Sequence, residues 1–123
     1  FAKTFVQVGA ARTEPRRLHT ILELLPLDDP TTLRLGDTLH VRLFFNNGPF
    51  SNAPVTAVNT RAVGAPLVLN AKTNAAGDIA LTLTHPGLWL IRAVQMVPHG
   101  APKDGPTEWE SYWSSLTVTV PPR

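Results

Sequence analysis

The chain is 123 residues long, with 43% hydrophobic and 16% charged residues, which suits one folded domain with its own core and excludes a disordered or heavily solvated segment. The net charge is only +2, and outside Arg12, Arg16 and Arg17 the arginines stand singly, at Arg34, Arg42, Arg61 and Arg92. No basic face with interleaved aromatics is set up, so nucleic acid is not an expected partner; no apolar run approaches the length of a membrane-spanning helix, so no membrane insertion of this segment is expected.

Phe1 to Gly9 reads as a short apolar strand and Ala10 to Arg17 as a basic linker, ahead of a β-sandwich domain over residues 18–123. Leu18 to Leu27 is the next apolar run, which Pro26 restricts to an edge or end position because proline cannot donate to a ladder. Asp28-Asp29-Pro30 is a turn. Thr38 to Phe45 alternates, with Leu39, Val41, Leu43 and Phe45 on one face and Thr38, His40, Arg42 and Phe44 on the other, until Asn46-Asn47-Gly48-Pro49 forces a turn. Val55 to Thr60 is a short strand, and Leu67 to Leu69 an edge strand.

The stretch Thr73 to Val94 carries the strongest pattern. A turn at Asn74-Ala75-Ala76-Gly77-Asp78 leads into Ile79, Leu81 and Leu83 on one face and Ala80, Thr82 and Thr84 on the other. Pro86-Gly87 breaks the run and a second apolar run, Leu88 to Val94, follows, which together read as an antiparallel strand pair with one buried face. Pro98 to Pro106 reads as a loop, Thr107 to Trp113 as an aromatic and acidic segment, and Leu116 to Val120 as the closing strand. No helical periodicity outlasts a turn or two. The fold class expected is all-β: an immunoglobulin-like or transthyretin-like antiparallel β-sandwich of about seven strands. Its shared core should be Leu39, Val41, Leu43, Ile79, Leu81, Leu83, Trp89, Ile91, Leu116 and Val118, the apolar positions of the alternating strands.

The segments AKTFVQVG (Ala2 to Gly9), LELLPLDDPTTLRLGDTLHVRLFFN (Leu22 to Asn46), TNAAGDIALTLTHPGLWLIRAVQM (Thr73 to Met96) and EWESYWSSLTV (Glu108 to Val118), in this order, resemble the DUF4198 family of exported bacterial proteins. Members are often named as periplasmic components of nickel or cobalt uptake. The resemblance implies a periplasmic or otherwise exported address, a preceding domain of the same protein as partner, and an envelope transporter component as a further one. It also implies that this chain is the C-terminal domain of a longer protein; Phe1 in place of Met, with no leader pattern, is expected either from a removed signal peptide or from excision out of a longer chain. Relatives often carry a histidine after the buried strand, where this chain has Gln95 before Met96.

Metal binding requires donors converging within about 2.0–2.2 Å of one ion. There is no cysteine, which removes disulfides, thiolate zinc sites and cysteine nucleophiles, and the four histidines, His19, His40, His85 and His99, include no close-spaced pair. His85 before Pro86 and His99 in the proline-rich stretch are the candidate ligands for a divalent transition metal, and they can meet only if the fold brings their loops to one end. No resident cofactor is expected. Ser114-Ser115 lacks a Gly-x-Ser-x-Gly elbow, Asp28-Asp29 most simply form a turn, and Glu108 and Glu110 alternate with Trp109; with no P-loop and no G-x-G-x-x-G, no enzyme is expected.

The aromatics are the better lead. Trp89, among Leu88, Leu90 and Ile91, belongs in the core, whereas Trp109, Tyr112 and Trp113 with Glu110 gather beside the loop. They read either as a plug under that loop or as a surface that stacks on a sugar ring or a partner side chain, with Glu110 and Tyr112 as polar handles. The function expected is a non-catalytic exported module that binds a ligand or partner, accessory by its resemblance to nickel or cobalt uptake; the alternative is a structural or adhesive spacer of an envelope protein.

Overall fold

The structure, a computed structural model, describes residues 2–4, 17–59, 67–99 and 108–121. Among these lie nine strands: β1 (Ala2–Thr4), β2 (Leu22–Pro26), β3 (Thr38–Phe45), β4 (Gly48–Pro49), β5 (Pro54–Asn59), β6 (Leu67–Lys72), β7 (Asp78–Thr82), β8 (Gly87–His99) and β9 (Glu108–Val120). One 3-10 turn, Pro30–Thr32, is capped by Asp29, whose carboxylate accepts from the Thr31 N–H at 2.9 Å. A five-stranded sheet runs β1-β9-β8-β5-β6; a four-stranded sheet runs β2-β3-β4, with β7 also on β3. Every pairing is antiparallel except β1 with β9, which is parallel. The architecture is the expected β-sandwich.

The inward positions of both sheets make one core. All ten residues expected there are buried, and Leu22, Leu24, Val55, Ala57 and Val120 join them. Strands alternate sides, so two facing sheets bury one half of each strand and leave the other half to water. Pro26 ends an edge strand and β6 closes the other sheet at its edge, as their sequences indicate. The Asn46-Asn47 pair takes left-handed backbone (φ 51° and 67°), which matches strand twist and lets β4 fold back on Phe44 and Phe45.

Three sequence expectations change. The strands before and after Pro86-Gly87 are not a pair: β7 lies on β3, whereas β8 lies between β5 and β9 in the opposite sheet. The Pro-Gly break, with Gly87 at φ 109°, is a crossover between layers, and the apolar faces of β7 and β8 meet across the core instead of lying side by side. Second, Glu108 to Val120 is one strand, paired with β8 along its whole length, and β8 runs on through Pro98 to His99, which shortens the expected loop. Third, the apolar run from Leu18 does not enter β2 directly. Residues 17–20 lie over the outward side of β2, and the Glu23 carboxylate, 1% exposed, accepts from Arg17 Nε at 2.9 Å and from the backbone N–H groups of Leu18 at 2.6 Å and His19 at 3.2 Å. The Arg17 guanidinium stacks 3.8 Å above the Phe44 ring, next to Glu23 in register.

Candidate binding surface

The hairpin of β8 and β9 sorts its side chains by parity. Trp89, Ile91 and Ala93 pair with Val118, Leu116 and Ser114 on the inward side. Outward, Val94 pairs with Trp113, Met96 with Ser111 and Arg92 with Ser115. Trp113 is 59% exposed and Met96 55%, the two most open large apolar side chains on this sheet among the described residues. The Trp113 indole N–H donates to Ser111 Oγ at 3.3 Å along the same strand. A large ring and a thioether thus stand in water on neighbouring strands, flanked on the same face by Val94 and Ser111.

Tyr112 goes the other way. Its ring centroid lies 5.7 Å from that of Phe45, which in turn sits 5.5 Å from Phe50, so these three close the end of the sandwich. The two neighbours in the aromatic segment thus lie on opposite sides of one strand: Tyr112 packs at the end of the sandwich and Trp113 opens to water. Tyr112 is therefore not a polar handle for Trp113, because adjacent strand residues point to opposite faces. Trp109 and Glu110 stand opposite Pro98 and Val97 in the ladder, and their side chains fall outside the described residues. Met96 is the member that sequence reasoning missed. The signal was present in the outward half of β8, where Leu88, Leu90, Arg92, Val94 and Met96 share one parity.

The two candidate metal ligands are not brought together. His85 precedes β8 and His99 ends it, so the full extended strand separates them. The His85 ring Nδ1 lies 2.8 Å from the Thr84 hydroxyl, while the His99 side chain falls outside the described residues. Among the described residues no three His, Asp or Glu side chains gather as a metal site would require.

The charged pairs lie on the other sheet. Arg42 and Asp78, opposite each other on β3 and β7, make a two-pronged contact at 2.6 and 3.1 Å, and the Arg42 guanidinium holds the Asp78 carboxyl below its usual range. Partial burial pushes Asp28 up, but hydrogen bonds from the His40 backbone N–H and ring outweigh it and leave the carboxyl lowered. These pairs satisfy one another on a half-open face, and no hydroxyl nucleophile is held by them.

Residues 1–97 match the family model described as a domain of unknown function (DUF4198), which covers β1 through most of β8 and stops short of β9. No curated protein and no solved structure matches the chain.

Proposed function

This chain belongs to the DUF4198 family, and we propose that it is a non-catalytic, exported β-sandwich module that binds a ligand or partner through the outward face of β8 and β9. The observation that carries this reading is the exposure of Trp113 and Met96 on the paired strands. Aromatic and methionine side chains that pay a hydration penalty on a monomer surface mark recognition sites more often than any other exposed apolar type. An accessory role in nickel or cobalt uptake rests on the family resemblance alone; among the described residues no three His, Asp or Glu side chains gather to support it.

The test is a photo-crosslinking amino acid placed at Ser111, between Trp113 and Met96, with the same group at exposed Ala80 on the other sheet as control. In cells producing the protein, adducts should form from position 111 and not from position 80. Equal adducts at both positions, or none at 111, would reject the surface as a recognition site.

A further inference from the structure

We propose that the outward face of the five-stranded sheet is a platform for a carboxylated polysaccharide, with Trp113 stacking on a sugar ring and Arg92 pairing with a carboxylate. This rests on the recognition reading above and names the ligand class for that same surface.

The register aligns a polar row across the sheet. Asn70 pairs with Thr56, Thr56 with Arg92, and Arg92 with Ser115, so four consecutive strands present an amide, a hydroxyl, a guanidinium and a hydroxyl on one line. Neighbouring strands lie about 4.7–4.9 Å apart, so the row spans roughly 14 Å, with one polar group for each sugar-sized step. Thr56 Oγ1 donates to Asn70 Oδ1 at 3.2 Å, which orients that amide with its N–H2 group toward solvent. Trp113 stands diagonal to Arg92, since Arg92 pairs with Ser115 and Val94 with Trp113. Diagonal neighbours on a sheet face sit about 7–8 Å apart, within joint reach of an indole and a guanidinium.

The chemistry of this row is that of sugar recognition. A pyranose ring shows C–H groups on its face and hydroxyls at its rim. An open indole takes the face, and flat-lying amides and hydroxyls take the rim. The charge decides between neutral and acidic sugars. Arg92 is exposed and makes no ion pair among the described residues, Lys72 is exposed two residues from Asn70 on the same strand side, and no described residue of this face is acidic. A guanidinium left in this way suits a carboxylate, which it can grip with two parallel hydrogen bonds. An acidic peptide would satisfy the charge as well, but the C–H face and rim hydroxyls of a sugar match the open indole beside this row, and poly-glutamate separates the two.

The 123-residue protein is titrated by calorimetry with alginate oligomers, and in parallel with uncharged cello-oligosaccharides, dextran sulfate and poly-glutamate. Saturable binding to alginate is expected, with dextran sulfate and poly-glutamate at least tenfold weaker. Trp113→Ala should reduce alginate affinity at least tenfold. Arg92→Gln should reduce it similarly and also flatten its dependence on salt. Arg34→Gln, an exposed position between the 3-10 turn and β3 and outside the polar row, should leave it unchanged. Thermal unfolding of each variant confirms that the fold is kept. No binding to alginate overturns the inference, and so does equal binding to dextran sulfate or poly-glutamate, which would mean bulk charge alone. Loss of alginate binding together with persistent crosslinking from Ser111 leaves the recognition reading standing, while loss of both removes it.

Discussion

Asn59 and Trp89 are partners across β5 and β8, and both send N–H groups into the turn that precedes β8. The Trp89 indole nitrogen lies 2.9 Å from the His85 carbonyl oxygen; the Asn59 amide lies 3.1 Å from the Pro86 carbonyl and 3.5 Å from that of His85. Both side chains are fully buried, so the crossover from one sheet to the other is fastened from beneath by two core residues. Losing such a bond costs about 0.5–1.5 kcal/mol, and more where the abandoned group is shielded from water.

Trp89→Ala is expected to destabilise by about 3–5 kcal/mol, the range for deleting a large buried ring. Asn59→Ala removes less volume but abandons the turn carbonyls, for an expected cost of about 1–3 kcal/mol. Because both act on the His85 carbonyl, the double variant should cost less than the sum, and urea unfolding of the three proteins measures that coupling. Strict additivity would show that the two hydrogen bonds do not share a partner in solution.

Gly77 and Gly36 provide a matched pair. Both have positive φ, 80° and 89°, but a Cβ on Gly77 would fall 2.9 Å from the Leu43 carbonyl oxygen, and one on Gly36 meets nothing within 4 Å. Gly36→Ala should therefore cost only the left-handed backbone, about 1–2 kcal/mol, and Gly77→Ala that amount plus displacement of a paired strand. The Leu43 N–H donates to the Gly77 carbonyl at 2.8 Å, so movement there disturbs β3 directly. Equal unfolding midpoints for the two variants would contradict the close approach.

Much of this was legible in the residues. Strict alternation in Thr38 to Phe45 and Asp78 to Thr82 marks their inward faces without ambiguity, because one face is apolar and the other is not. Which strand lies beside which was not legible at Pro86-Gly87: a break of this kind serves a hairpin or a change of sheet equally, and only the facing of Ile79 and Trp89 across the core separates the two. The long β9 hid because Ser114 and Ser115 interrupt its apolar signal, although its inward series Ser114, Leu116, Val118 and Val120 keeps one parity. Trp113 was legible as a surface candidate from its chemistry, whereas Tyr112 was misplaced beside it because period-two parity was not extended through the aromatic segment. The burial of Glu23 could not be read at all, since it depends on a turn of chain at Arg17 to His19 that comes back over it.

Acid should weaken the sandwich through Asp78 and Asp28. Hydrogen bonding from Arg42 lowers the Asp78 carboxyl; at Asp28, burial works upward but the His40 hydrogen bonds bring the net shift down. A carboxyl whose folded pKa lies below its unfolded value stabilises fully above that unfolded value, about 3.9, and the stabilisation is lost as pH falls through the folded one. Urea midpoints should accordingly be level near neutrality and decline below about pH 4. In Asp78→Asn the decline should be shallower. Both contacts lie near water, so added salt should also shrink the difference between the wild-type and variant curves. A pH profile unchanged by Asp78→Asn would remove this pair from the account.

Arg17 offers a sharper test of the covered carboxylate. Glu23 is buried and Arg17 is only 19% exposed, so Arg17→Ala leaves a charge beneath residues 17–20 that still accepts from the backbone N–H groups of Leu18 and His19. Breaking one side of a buried ion pair costs about 3–5 kcal/mol, and the part exposure of Arg17 places the expected value below that range, at about 2–3 kcal/mol. Glu23→Gln keeps the shape and accepts fewer hydrogen bonds, so it should cost less. Trypsin cleavage after Arg17 should accelerate in Glu23→Gln as the guanidinium is released. Unchanged cleavage would show that the carboxylate does not hold this segment down.

The tryptophans separate surface from core by emission alone. Trp89 is fully buried with its N–H bonded to a carbonyl, and Trp113 stands 59% exposed on the outward face of β9. A variant that keeps only Trp89, with phenylalanine at the other two positions, should emit at short wavelength and resist acrylamide. One that keeps only Trp113 should emit further to the red and quench several-fold more readily. Substitution of Trp113 itself should be close to neutral for stability, within about 0.5 kcal/mol, as for surface positions outside any hydrogen-bonded network of the core. A neutral effect would show that the ring does not hold the sheets together, as the proposed recognition surface requires. If the Trp113-only protein is as shielded as the Trp89-only one, the ring is covered in solution, the recognition surface is lost, and the aromatic segment serves on both of its faces to close the sandwich.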